Sequence, residues 1–190
     1  MSRYETPATS RTPALIIYLI SVGASMRKPL GDKRRIDVVE EALKEILIQM
    51  LFRSTKANTV RPRYRVAIYA YSDKVYDVYG GVKTIGEIVV MGRPEFTTLR
   101  TTETAKAFRQ AKRLLEKELP NLEGCPAPLV CHLTDGEYTG EDPEPSPKRL
   151  CKWKHRTVAC WWRTFSFPIR CSPSLSTTCT AGRGSDQTHP

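Results

Sequence analysis

Three short stretches of this 190-residue chain carry side chains that could act together. "SVGAS", Ser21 to Ser25, offers small residues and two hydroxyls. "RTTET", Arg100 to Thr104, offers further hydroxyls, and "TDGE", Thr134 to Glu137, offers carboxylates. Hydroxyls from two loops and a carboxylate from a third suit a hard divalent cation, which takes oxygen ligands. An open position in such a shell would accept a partner's carboxylate. Each stretch also has a plain structural reading: Thr102 as a helix cap, Asp135 before Gly136 as a turn residue, Ser25 as a loop hydroxyl. Asp135 and Glu137 share one loop and His132 lies inside an apolar run, so no nucleophile–base pair and no acids facing across a cleft stand out. "SVGASM" could instead present backbone N–H groups to a phosphate at a helix start. It lacks both G-x-G-x-x-G and G-x-x-x-x-G-K-[ST], which makes an α/β phosphate- or nucleotide-binding enzyme the weaker alternative.

The elements that would position these loops are legible in the hydrophobic pattern. Leu15 to Ile20 is a continuous, Ile-rich run suited to a strand buried on both faces. "KRRIDVVEEALKEILIQMLFR" follows, with Ile36, Val39, Leu43, Ile46, Leu47 and Met50 at helical spacing, Asp32 as its expected cap and Lys33 to Arg35 as a solvated start. "RYRVAIYAYSD", Arg63 to Asp73, reads as a strand, and "KVYDVYGGV" as a short strand turned back on it. "TIGEIVVM" fits helix and strand equally. "TTETAKAFRQAKRLLEKELPNL" is a second amphipathic helix, with Ala107, Ala111, Leu114, Leu115 and Leu119 inward and Pro120 as its stop. "APLVCHLTDGE" is a third core strand. Strands alternating with helices predict an α/β fold with a mostly parallel central sheet flanked by helices. Ligands of such sheets bind at the carboxyl ends of the strands, where all three polar loops fall.

In this order and spacing, "YLISVGASM", "LRTTETAKAF" and "LVCHLTDGEYTG" together resemble the von Willebrand factor type A (vWA) domain, a Rossmann-like fold. The similarity runs from about Pro13 to Leu150, and "AYSDKVYDVYGGVKTI" resembles the family's second and third strands. The resemblance implies a protein-binding module, not an enzyme, with Mg²⁺ or Mn²⁺ held by D-x-S-x-S, a Thr and an Asp. Carried onto this chain, Ser25, Thr102 and Asp135 match, while Ser21 stands where the family has Asp and Gly23 where it has Ser. One carboxylate would remain of two. Mg²⁺ gives up water reluctantly, so metal binding is expected to be weak or absent. Ser21→Asp with Gly23→Ser is expected to restore it.

Net charge is +10, but it divides evenly: +5 over residues 1–150 and +5 over residues 151–190. No basic run interleaved with aromatics occurs in the first part, so no nucleic-acid partner is expected. No stretch reaches the roughly 18 apolar residues of a membrane helix. Ala14 to Val22 mimics a signal-peptide core, but the long preceding segment with Glu5 and Pro13 favours a strand and a cytoplasmic chain.

The sequence changes character after Leu150. All three Trp and four of the six Cys lie there, with a single acid, Asp186. Cys151, His155, Cys160 and Cys171 contain no C-x-x-C pair, which argues against zinc. A reading frame shifted by one base permits "MQMETPDGSVLVENIFISD" over Cys151 to Ile169: a helix end, a turn and an apolar strand. The division that follows is an N-terminal tail (1–12), a partial vWA domain (13–150) and a non-native, disordered tail (151–190). The fold would then lack its last strands and helices, leaving Leu129 to Leu133 as an unpaired, aggregation-prone edge.

Overall fold

Alternation along the first strand sets the architecture. In β1 (Ala14–Ser21), Leu15, Ile17 and Leu19 face one apolar cluster and Ile16, Tyr18 and Ile20 face another, so both faces are buried. A strand of this kind has to be covered by helices on both sides. The computed structural model describes residues 6–136 and the backbone of residues 161–166. Glu137 and the cysteines after Leu150 fall outside that range.

After β1 come a 3-10 turn (Ala24–Arg27), the small hairpin β2 (Pro29–Leu30) and β3 (Lys33–Arg34), and helix α1 (Arg35–Ser54). A second hairpin, β4 (Thr55–Lys56) with β5 (Thr59–Val60), leads to β6 (Tyr64–Tyr71) and β7 (Val75–Asp77). Then follow β8 (Lys83–Thr84), α2 (Ile85–Met91), α3 (Thr104–Glu118), a 3-10 turn (Leu119–Leu122), β9 (Leu129–Thr134) and β10 (Trp161–Ser166). The main sheet has the order β10-β9-β1-β6-β7, with β8 also pairing β6. β10–β9, β9–β1 and β1–β6 are parallel; β7 and β8 run antiparallel to β6. The predicted fold class, a mostly parallel sheet flanked by helices, is the observed one.

α1 and α2 cover one face and α3 the other. α1 buries Ile36, Val39, Leu43 and Leu47, whereas Ile46 is 37% exposed and belongs to the outer face. α3 buries Ala107, Ala111, Leu114 and Leu115 as expected, and adds Phe108. "TIGEIVVM" resolves as helix because of its start: Thr84 N–H donates to Glu87 Oε2 (2.7 Å), and Glu87 N–H donates back to Thr84 Oγ1 (3.4 Å). This reciprocal capping box satisfies two orphan donors and settles the ambiguity.

Two expectations are corrected. Asp32 does not cap α1. With Leu30 paired to Lys33, Gly31 (φ +65°) and Asp32 form the two-residue turn of the β2–β3 hairpin. The helix starts instead at Arg35, after an Arg34 whose N–H and guanidinium both bond Asp37. Nor is β9 an open edge. Residues 161–166 pair with it in parallel from Trp161–Leu129 to Ser166–Thr134, giving its outer backbone groups partners. "WWRTFS" is rich in aromatic and β-branched residues, which favour strands even in a chain with an unusual tail. Among the described residues, no helix is long and apolar enough to cross a membrane.

Candidate functional site

Ile20 pairs with Leu133, so β1 and β9 release Ser21 and Asp135 at the same edge of the sheet. The segment before α3 is drawn across this edge by specific bonds. Leu99 N–H donates to the Val22 carbonyl (2.7 Å) and Glu103 N–H to the Ser72 carbonyl (2.8 Å). Arg27, ending the first loop, donates from Nε to Thr98 Oγ1 and from Nη2 to the Thr98 carbonyl, each at 2.7 Å. Ser21, Ser25, Thr102 and Asp135 are all buried as a result. Thr102 is not the cap of α3; Glu103 holds that position and makes no side-chain capping bond.

Gly23 is where the first and second loops meet. A Cβ built on it would lie 1.9 Å from Thr102 Oγ1 and 3.2 Å from the Thr101 carbonyl oxygen. Thr102 thus occupies the space that a side chain at position 23 would need. A serine at position 23 would therefore require the Thr102 side chain to turn aside. Gly23→Ala is expected to destabilise the fold by about 1–3 kcal/mol, an overpacking cost. Pairing it with Thr102→Ala, which removes the obstructing hydroxyl, should recover most of that loss in urea unfolding.

Asp135 is engaged by a cationic side chain. Its Oδ2 accepts a hydrogen bond from Arg35 Nη1 at 2.8 Å, and the two side chains are 0% and 12% exposed. Arg35 is the first residue of α1, so its position in "KRR" had suggested a solvated side chain; instead it turns inward across the sheet edge. A cation in the first turn opposes the helix dipole, and the Asp135 carboxylate compensates it. Gly136 (φ +86°) turns the chain after Asp135, and its N–H donates to Thr134 Oγ1 (3.1 Å).

Beneath these loops lies a buried polar pair. The Tyr71 hydroxyl and His132 Nε2 are 2.6 Å apart, their rings stack at 5.8 Å, and Phe108 meets His132 edge-on at 5.1 Å. Burial pushes the Tyr71 hydroxyl above its ordinary pKa, against the opposing pull of the Thr104, Thr134 and Ser21 hydroxyls. Burial also pushes His132 down to about 4, so the imidazole is neutral at physiological pH. Enclosed and bonded in this way, it has the role of a core residue, as its place in an apolar strand suggests.

The donor set can be tested against Mg²⁺ or Mn²⁺. It offers a single carboxylate, already bonded to a guanidinium, and a threonine hydroxyl packed against Gly23. Among the described residues, no group of three or more His, Cys, Asp or Glu side chains could hold a metal. Ser21 Oγ and Ser25 Oγ are buried without a hydrogen bond of good geometry among those residues, although Ser21 lies near the Tyr71 hydroxyl. Two neutral hydroxyls do not supply the charge that a hard dication needs. The residues present therefore do not fit the family's metal.

Known structures share this architecture. The VWA domain titled SpRpn10 superposes with a TM-score of 0.57 at 10% identity, over 82% of this chain and 77% of that one. BatB from Bacteroides thetaiotaomicron gives 0.55 at 14% identity, over 80% and 66%. The pilus adhesin SpaC from Lactobacillus rhamnosus GG gives 0.50 at 18% identity, over 67% and 16%. The chain thus spans just under two thirds of the BatB chain and a small part of the adhesin. No protein-family model and no curated protein matches the sequence. With the sheet order, the three loops and these superpositions in agreement, the chain has the von Willebrand factor type A fold.

Proposed function

We propose that this chain is a non-enzymatic protein-interaction module that presents the loop edge of its sheet to a protein partner, with impaired divalent-metal binding. The observation that carries this reading is the convergence of three polar loops at the carboxyl edge of a parallel sheet, where such sheets place ligands. The rim includes exposed Arg100 and Thr101 beside the buried Thr102. The same fold in a pilus adhesin supports a binding role.

A partner captured with the chain and then purified should bind it directly and lose at least tenfold in affinity to Arg100→Glu, a change at an exposed position that leaves unfolding unaltered. Binding insensitive to every rim substitution would contradict the reading. Thermal stabilisation by ATP or GTP would favour the phosphate-binding alternative, and salt-sensitive DNA binding would favour a nucleic-acid role.

A further inference from the structure

The mismatch between this site and a divalent metal has a cause beyond the missing acid. We propose that Arg35 is the resident cation of the site: its guanidinium gives Asp135 the positive charge that a metal would otherwise give, so the loops assemble without metal. This goes beyond the binding role and does not depend on it.

The argument is geometric. Asp135 is the only described carboxylate among the three loops' matching positions, and its side chain is fully enclosed. An enclosed carboxylate without a counter-charge is strongly unfavourable. Arg35 supplies that charge at 2.8 Å from Oδ2, while its own side chain is almost as enclosed. A guanidinium is less tightly hydrated than an ammonium or a small dication, so it is the cheaper cation to bury here. Its arrival from the start of α1 is built into the chain path: Arg35 N–H donates to the Lys28 carbonyl (3.1 Å), tying the helix start to the segment that follows Ser25. Ser21 fits the same logic. Among the described residues, a second carboxylate at position 21 would add a negative charge beside the Arg35–Asp135 pair, whereas serine leaves the pair neutral. Serine at 21 and arginine at 35 are thus matched in charge around Asp135.

Reversing the exchange tests it. The 190-residue chain carrying Arg35→Ala with Ser21→Asp should gain Mn²⁺ dependence: its unfolding midpoint should rise by about 5 °C or more in saturating Mn²⁺, or it should fold only when Mn²⁺ is present. The unaltered chain and Ser21→Asp alone, which both keep Arg35, should shift by less than about 1 °C by the same measure. Arg35→Lys and Arg35→Gln form a separate pair needing no metal. The lysine variant should keep more of the midpoint than the glutamine variant, because Asp135 requires a positive charge even where an ammonium is the costlier cation to bury. A double variant indifferent to Mn²⁺, equal losses in Arg35→Lys and Arg35→Gln, or a Mn²⁺ response in the unaltered chain would each overturn the proposal.

Discussion

Arg35→Ala is expected to lower the free energy of unfolding by about 3–5 kcal/mol, the cost of leaving one member of a buried ion pair uncompensated. The two members should not be equivalent. The Asp135 side chain is fully enclosed, so removing Arg35 takes a charged partner from a carboxylate that water does not reach. Arg35 is 12% exposed and has a long stem, so in Asp135→Ala the guanidinium can swing outward and the loss should be smaller, about 1–3 kcal/mol. Replacing both, as Arg35→Met with Asp135→Leu, should cost less than Arg35→Ala alone, because apolar pairs often substitute for buried ion pairs without penalty. Urea unfolding of the single and double variants gives the coupling directly. Equal losses in the two single variants, adding without coupling in the double, would mean that the pair is not the enclosed interaction described.

Acidification should produce the second large effect, through His132. Its folded pKa of about 4 lies below the ordinary histidine value of 6.5. The unfolded chain therefore takes up a proton at a pH where the folded chain does not, and stability falls with pH. The loss begins near pH 6.5 and is complete once the folded pKa is passed. A tenfold difference in proton affinity between the two states is worth about 1.4 kcal/mol, which makes the loss about 2 kcal/mol at pH 5 and about 3 kcal/mol in full. His132→Gln, which cannot titrate, should remove this slope between pH 6.5 and 4 while lowering stability at pH 7 through loss of the Tyr71 contact. An unchanged slope in that variant would assign acid lability to other groups.

Much of the architecture can be read in advance because its causes are local. The continuous run at Leu15–Ile20, the 3.6-residue spacing from Ile36 and the alternation from Arg63 each report burial that the structure then displays. Ser21 and Asp135 at strand ends are likewise legible from the pattern, whereas Gly23, Ser25 and Thr102 are singled out by the family resemblance. What no local pattern carries is which distant groups meet. Arg35 and Asp135 are a hundred residues apart, and "KRR" before an amphipathic run resembles any solvated helix start. The contact between Gly23 and Thr102 has the same character: a glycine in a loop suggests freedom, whereas here it yields room to a side chain from another loop. β10 escapes the sequence reading for a different reason. The unusual composition after Leu150 outweighs the strand-forming residues at Trp161–Ser166, although the apolar β9 beside it requires a partner.

The loop edge is therefore best understood as a vWA-type site in which a side chain has taken the place of the ion. Calorimetric titration of Mn²⁺ into the unaltered 190-residue chain tests this most directly. No saturable heat up to millimolar Mn²⁺ is the expected result, with the same flat response in Asp135→Ala. A stoichiometric site of micromolar affinity that disappears in Asp135→Ala would contradict it, because Asp135 would then be holding a metal rather than Arg35.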